Sequence, residues 1–597
     1  MTTPEKVESA ASQQMRDNLA RIETLTQRMV EAFAQKRAPN PALEGPGPDL
    51  YVSSSTALLR EMAANPAKIF EAQVSYWAQA MTHYIDATHA FAQGTFKAPA
   101  DPGPKDRRFS NPLWDTHPYF NFFKQQYLIA SSSIEEALSR IEGLDPVDRK
   151  RLEMFSKQII DMMAPTNFLA TNPDALERAV ATEGESLVRG MENLVRDIEA
   201  NRGDLVITLS DKNAFSVGHN IGTAKGQVVW RNHLMELIQY EPTTPEVHKT
   251  PLIIFPPWIN KFYILDLKPQ NSLIRWIVDQ GFTLFVVSWK NPDRTYAEIG
   301  MEDYISDGYL AAIEEVKAIT GEKQVNAVGY CIAGTTLSLV LSLLEKRKDK
   351  SIKSATFFTT LTDFSDQGEF TPFLQDDFVD GIERQVRMDG VLSSYFMTRT
   401  FSYLRANDLI YQPAIRSYML GESPPAFDLL YWNGDSTNLP GKMAIEYLRG
   451  LCQADSFTTE GFEVMGERLH VSGVKVPLCA IACETDHIAP WIASFNGVAQ
   501  MGSSDKTFIL SESGHIAGIV NPPTKDKYGH YTSEAPIADP QVWKAAASYT
   551  KGSWWPRWGA WLAGHSGKNI PARAPGDATH PPLAPAPGTY VAEVVVL

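Results

Sequence analysis

Cysteine is scarce in this chain, four in 597 residues. That is too few for a disulfide framework, so the fold has to rest on a buried core. Positive charge is also in deficit, with 55 Lys and Arg against 70 Asp and Glu and a formal net charge of −15. Such a chain lacks the basic field that general nucleic-acid binding needs, and no nucleic-acid partner is expected. No apolar run approaches the roughly 20 residues of a membrane span. The opening MTTPEKVESAASQQMRDN has no apolar core of a secretory signal. A cytoplasmic protein with no transmembrane segment is the expectation. Gly-rich phosphate loops and dinucleotide fingerprints are missing as well.

What is present is a 44% hydrophobic, 21% charged composition, which excludes disorder, collagen and coiled coil as the dominant state. Three Pro/Gly/Ala-rich stretches, at 38–48, 97–105 and 571–588, carry no apolar period and predict linkers or mobile tails. Residues 1–203 read as a mainly helical N-terminal region. Ser133 and Glu136 stand at capping-box spacing around Ile134, Ala137, Leu138 and Ile141, with Gly143 as a stop. Asp145-Pro146 and Asn172-Pro173 each predict a helix start, since proline fits the first turn, and Pro165 ends the first of these helices. Leu152, Phe155 and Ile159 form one apolar stripe; Leu187, Met191, Leu194 and Ile198 form another.

From residue 204 the pattern changes. Short runs rich in β-branched and aromatic residues, at 252–255, 283–288, 324–328, 354–358, 477–483 and 507–510, alternate with helical stretches. Near-continuous apolar strands separated by helices imply an α/β fold with a mainly parallel sheet covered on both faces. Between about 362 and 474 the strand rhythm lapses, which predicts a cap inserted into a catalytic domain of residues 204–597. A flexible tail is expected from about 571.

The chemistry concentrates at Gly329-Tyr330-Cys331-Ile332-Ala333-Gly334, directly after a predicted strand and before a helical stripe of Leu337, Leu341 and Leu344. Strand, tight turn and helix are the context of a nucleophile elbow, in which small neighbours permit the sharp turn. The helix N-terminus favours an anion, and the Ile332 amide would face a developing oxyanion. The usual pattern places glycine where Ala333 stands. The acid and base should follow in that order, each after a strand. One strand runs into Glu484-Thr485-Asp486-His487, and the next into Ser511-Glu512-Ser513-Gly514-His515. Spacing alone leaves Glu484 against Asp486, and His487 against His515, open.

A thiol nucleophile holds an acyl group as a thioester, nearly isoenergetic with the thioester it came from, so the acyl unit stays activated for another acceptor. The choice of cysteine therefore points to acyl transfer, with hydrolysis as the competing outcome. Cys479 and Cys483 beside His487 lack a second ligand pair at zinc spacing and read as buried strand residues. The Trp-rich segment from Gly552 to Trp558 reads as a closing helix packed by tryptophan.

At these residues the sequence resembles the single-subunit, type I polyhydroxyalkanoate synthases. The resemblance rests on Gly329-Tyr330-Cys331 and on the long stretch from Pro256-Pro257-Trp258-Ile259-Asn260-Lys261 through Leu267. It extends to Leu361-Thr362-Asp363-Phe364, Tyr431-Trp432-Asn433, Thr437-Asn438-Leu439-Pro440, Asp486-His487-Ile488-Ala489-Pro490-Trp491 and Ser513-Gly514-His515-Ile516-Ala517-Gly518. It covers roughly residues 100 to 590.

The resemblance implies an α/β-hydrolase fold with Cys331 as nucleophile, Asp486 as acid and His515 as base. It also implies a second oxyanion amide in the loop at 257–260, with Ile259 the choice. The implied reaction polymerises (R)-3-hydroxyacyl-CoA into a growing polyester chain with release of CoA. A homodimer on the surface of polymer granules, in contact with granule-associated proteins, is implied too, with no metal or redox cofactor. The rivals are a cysteine thioesterase or intracellular polyester depolymerase on the same fold, and a non-catalytic granule-binding scaffold.

Overall fold

The apolar runs after residue 204 supply the centre of one large sheet. The computed structural model describes residues 10–36, 48–64, 66–94, 97–101 and 105–594. The sheet has eleven strands: β1 Gly226–Arg231, β2 Met235–Tyr240, β3 Leu252–Phe255, β4 Leu284–Trp289, β5 Val325–Tyr330, β6 Ile352–Phe358, β7 Leu478–Cys483, β8 Lys506–Ser511, β9 His530–Thr532, β10 Ser548–Thr550 and β11 Ala584–Pro585. Their spatial order is β10-β9-β8-β7-β6-β5-β3-β4-β2-β1-β11. From β8 to β4 every pairing is parallel. The pairings beyond them on both sides are antiparallel.

Strands β3, β4, β5 and β7 are buried along their whole length, as runs without polar alternation require. The six expected strands all form, their ends shifted by one or two residues. Strands β1 and β2 had no clear sequence signal. In β2 the fully buried Glu236 and Gln239 break the apolar run. Their partners come from the far end of the chain: Gly576 N donates to Gln239 Oε1 at 2.8 Å, and Thr589 N to Glu236 Oε2 at 2.9 Å.

That C-terminal segment departs from the expected tail. Residues 571–588 are held in place: β11 pairs with β1, and Asn569–Pro571 pairs with Glu246–His248. Arg573 binds Glu322 at 2.7 Å, and just beyond the stretch Glu593 binds Lys290 at 2.7 Å. Proline and glycine suppress a regular period, but they do not prevent anchoring by scattered side chains, which no periodicity reveals. The proposed linkers at 38–48 and 97–105 fall partly outside the described residues.

The chain divides into two compact units, Met1–Asp211 with Thr400–Pro425, and Lys212–Arg399 with Ala426–Leu597. Helices α1 Ala10–Phe33, α2 Pro48–Ala64, α3 Pro66–Gln93, α4 Pro118–Ser139, α5 Pro146–Met162, α6 Pro173–Ala181 and α7 Glu185–Ala200 build the first. Asp145 and Asn172 cap α5 and α6 as expected, each accepting from a first-turn amide. The capping box at Ser133 is not a helix start. Helix α4 begins at Pro118, whose ring presets the first turn, and runs through the serines; Ser131 Oγ donates to Tyr127 O at 2.8 Å. On α7 the buried apolar residues are Val188, Val195 and Ile198, the first two packed with Leu25 of α1, while Leu187 and Leu194 are only part-buried.

In the second unit, helix α8 (Ile332–Lys346) follows β5; the mainly helical insertion between β6 and β7, residues 359–477, belongs to this unit except for Thr400–Pro425, which belong to the first. Helix α9 (Trp555–Gly564) buries Trp555 and Trp558, with Trp554 buried just ahead of it. The indole N–H groups of Trp554, Trp555 and Trp558 donate to Gly518 O, Ile519 O and Thr356 Oγ1 at 2.8, 2.9 and 3.0 Å. The tryptophans thus pack a closing helix and tether the loop after β8.

Candidate active site

One residue separates β5 from α8, and it is Cys331. It sits at φ 55, ψ −127, a strained backbone for a residue with a Cβ. Its neighbours over-determine that turn: Cys331 N donates to Phe358 O at 2.8 Å, and Gly334 N to Cys331 O at 2.9 Å. Strand and helix meet closely at Gly329 and Gly334. A Cβ on Gly329 would lie 2.5 Å from Gly334 Cα, and one on Gly334 only 2.0 Å from Thr360 Oγ1. The need for glycine therefore falls on 329 and 334. Ala333 is fully buried, and its carbonyl accepts from Tyr309 Oη at 2.9 Å.

The loops after β7 and β8 are bonded to each other. Glu484 N donates to Ser511 O at 2.8 Å, and Thr485 N to Ser513 O at 3.0 Å. They bring Asp486 and His515 together, with His515 Nδ1 donating to Asp486 Oδ2 at 2.7 Å. The other carboxylate oxygen accepts from Ile488 N and Ala489 N at 2.8 and 2.9 Å, which fixes its orientation. The alternative acid, Glu484, pairs with Lys544 at 2.8 Å.

Cys331 acts electrostatically on the His515 ring, which is itself bonded to Asp486. Burial works to lower the His515 pKa, but attraction to Asp486 and then to Cys331 outweighs it, and the group is held well above its ordinary value. The other three cysteines differ in kind. Cys452, Cys479 and Cys483 are buried, and burial pushes each thiol up, that of Cys452 to about 12.

Ile332 is the first residue of α8, where backbone N–H groups lack intrahelical acceptors. Ile259 lies in the loop after β3, and β3 pairs directly with β5 through Phe255 and Gly329, so this loop leaves the sheet beside the elbow. Several bonds hold it. Trp258 Nε1 donates to Thr336 Oγ1 of α8 at 3.2 Å, and Trp289 Nε1 to Pro256 O at 2.8 Å. From the insertion, Thr437 N donates to Ile259 O at 3.2 Å and Thr437 Oγ1 to Trp258 O at 3.1 Å, while Trp432 Nε1 donates to Lys261 O at 2.7 Å. The supporting roles of Trp432 and Thr437 have no signature in spacing; the only sequence signal was the resemblance of 256–267, 431–433 and 437–440 to the synthases.

Among the described residues no helix is long and apolar enough to cross a membrane. Residues 105–277 match the family described as Poly-beta-hydroxybutyrate polymerase (PhaC) N-terminus, and residues 251–522 match the alpha/beta hydrolase fold. The poly(3-hydroxyalkanoate) polymerase of Methylorubrum extorquens is 40% identical over 582 residues, spanning 94% of this chain and 96% of the relative. The poly(3-hydroxyalkanoate) polymerase subunit PhaC of Rhizobium etli is 40% identical over 536 residues, 89% of this chain and 84% of its own. Its counterpart from Cupriavidus necator is 38% identical over 535 residues, 88% of each chain. Kinship along almost the whole sequence, on an α/β-hydrolase fold, places this chain in the poly(3-hydroxyalkanoate) polymerase family, acyltransferases that build polyester.

Proposed function

We propose that Cys331 is the nucleophile of this polymerase, with His515 its base and Asp486 the group that orients and charges the imidazole. The observation that carries the reading is a thiol presented on a strand-to-helix elbow and coupled to His515, whose Nδ1 is held by Asp486 at 2.7 Å. The thiolate attacks the carbonyl carbon of an (R)-3-hydroxyacyl-CoA. The carbonyl electrons move to oxygen, where the amides of Ile332 and Ile259 donate to them. Collapse breaks the bond to the CoA sulfur, which takes a proton from His515 and leaves an acyl-Cys331 thioester. The hydroxyl of a further unit then attacks the acyl-Cys331 carbonyl, its proton passing to His515; the bond to Cys331 Sγ breaks, freeing the thiolate for the next transfer, and the chain grows by one ester.

The insertion at 362–474 is read as a cap on the catalytic domain. A granule surface and a second copy of the chain belong to the same reading as partners. Support for the surface comes from α3, whose Val74, Trp77, Met81 and Ile85 are all exposed at helical spacing. If a variant lacking the first 200 residues kept both its oligomeric state and its attachment to granules, that part of the reading would fall.

Incubation of wild type and Cys331→Ala with (R)-3-hydroxybutyryl-CoA tests the core of it, following free CoA thiol and insoluble product together. Polymer and thiol from wild type alone are expected. Thiol with soluble 3-hydroxybutyrate would favour the hydrolase, and full activity in Cys331→Ala would remove the triad.

A further inference from the structure

The loop that carries Ile259 is tied to the insertion through a buried ion pair. Lys261 is almost wholly buried, and its Nζ lies 2.7 Å from Asp435 Oδ1. The same ammonium donates to the carbonyl of Glu593 at 3.3 Å. The second oxygen of Asp435 accepts from Tyr263 Oη at 2.7 Å. Asp435 therefore holds two side chains of the 256–267 stretch at once, one at each oxygen. It also stands between Trp432 and Thr437, whose bonds to Lys261 O, Ile259 O and Trp258 O fasten the backbone of the same loop.

An ammonium with so little access to water persists only when a counter-charge and acceptors surround it. Here the counter-charge comes from the insertion and an acceptor comes from the C-terminal segment, so three parts of the second unit converge on one nitrogen. A stability role alone would call for neither charge, because well-packed apolar side chains of similar volume serve a core as well or better. What an ion pair adds is a fixed geometry between the elements it joins. The element joined here is the loop in which Ile259, two residues before Lys261, presents its amide. An oxyanion donor displaced by a fraction of an ångström loses much of its effect.

We infer that Asp435 is a positioning residue for polymerisation: through the Lys261 ammonium and the Tyr263 hydroxyl it fixes the loop whose Ile259 amide faces the developing oxyanion. The inference rests on the Ile259 reading given above. Asp435 touches no reacting atom in this scheme. It acts on the step in which charge develops, so its loss lowers kcat and leaves KM for the acyl-CoA nearly unchanged.

The test uses the full chain and (R)-3-hydroxybutyryl-CoA, with CoA release as the rate. The double variant Lys261→Met, Asp435→Asn removes both charges together, so no buried charge is left unpaired, and the carboxamide oxygen that replaces the carboxylate still offers Tyr263 an acceptor. It is expected to melt within a few degrees of wild type while kcat falls about 10- to 100-fold and KM stays within about two-fold. Thr437→Val, which deletes only the hydroxyl bond to Trp258 O, is a milder probe of the same anchor and is expected to lower kcat several-fold. Wild-type kcat in both folded variants would overturn the positioning role, as would a loss expressed entirely in KM. Should the double variant fail to fold, Thr437→Val decides alone. Cys331→Ala run in parallel keeps the two claims apart: if it abolishes CoA release while the loop variants do not alter kcat, the triad stands and the positioning role falls.

Discussion

The ring of Tyr330 lies stacked beside the ring of His515, with centroids 6.0 Å apart and planes inclined by 23°. Tyr330 is the residue just before Cys331 and is 2% exposed. The strand that presents the thiol thus also supplies the wall against which the imidazole rests. Replacing Tyr330 by Ala would open a cavity in the core and let the imidazole tilt. A stability loss of about 3–5 kcal/mol is expected, as for other large aromatics cut to alanine. In Tyr330→Phe the stacking face remains and only the long bond to His515 O, 3.5 Å, is lost. That variant should keep most of the wild-type kcat, measured as CoA release.

The two glycines of the elbow are not equivalent to the alanine between them. Gly334→Ala would drive a methyl into Thr360 Oγ1, and Gly329→Ala would drive one into the Gly334 backbone. Each should abolish polymer formation, because the turn that presents Cys331 can no longer close. Ala333→Gly restores the more usual motif yet removes a buried methyl from the first turn of α8. It is expected to cost about 1 kcal/mol in urea denaturation and to leave kcat close to that of wild type.

Asp486→Asn keeps the shape of the site and removes the charge that holds the His515 proton. A fall in kcat of about 100- to 10,000-fold is expected. The same charge links folding to pH. Burial opposes protonation of His515, but Asp486 and Cys331 prevail and raise its folded-state pKa. Protonation of His515 therefore favours the folded state. That stabilisation is complete below the unfolded pKa of about 6.5 and fades as pH rises through the higher folded value. Thermal melts from pH 6 upward should show wild type losing this contribution at alkaline pH, with a shallower decline in Asp486→Asn. Parallel decline in the two proteins would contradict the linkage.

Thiol chemistry separates Cys331 from the rest of the chain. Cys331 is part-exposed, while Cys452, Cys479 and Cys483 are buried with thiols pushed up by that burial. Iodoacetamide on the native protein should label one site quickly, lost in Cys331→Ala, and the other three only after denaturation. Peptide mapping by mass spectrometry reads this directly. Fast labelling of Cys452 would show that the insertion opens in solution.

Much of this was legible in the sequence, for identifiable reasons. Buried parallel strands are written as unbroken apolar runs, so β3 to β8 could be placed to within one or two residues. An elbow needs small residues around a nucleophile between strand and helix, and that constraint marked Cys331. Asp486 and His515 were legible only as candidate positions after two strands; spacing could not separate Asp486 from Glu484, because it is the loop-to-loop bonds at Glu484 N and Thr485 N that bring Asp486 to His515. The start of α4 was misplaced because a capping-box spacing inside a helix looks the same as one at its end. Non-local anchors were the least legible. Lys261 and Asp435 lie 174 residues apart and carry no shared pattern.

The C-terminal segment gives the sharpest case of a non-local anchor, and it can be tested by a double-mutant cycle. Glu236 is fully buried in β2, and its carboxylate accepts from Thr589 N, Tyr590 N and Thr589 Oγ1 at 2.9, 3.0 and 2.8 Å. Glu236→Ala would leave those donors unpaired and should cost about 2–4 kcal/mol in urea denaturation. Gly588 stands just before them at φ +84, and a Cβ there would lie 2.2 Å from Glu236 Oε2. Gly588→Ala therefore carries two penalties in wild type, backbone strain and this clash. In the Glu236→Ala background the clashing oxygen is gone, leaving the strain, about 1 kcal/mol, and a tight 3.0 Å approach to Val228 Cγ2 that is common to both backgrounds. The two substitutions should thus combine to less than the sum of their separate effects. Simple additivity would mean that residues 588–590 do not rest on Glu236 in solution, and the segment would then behave as the free tail its composition suggests.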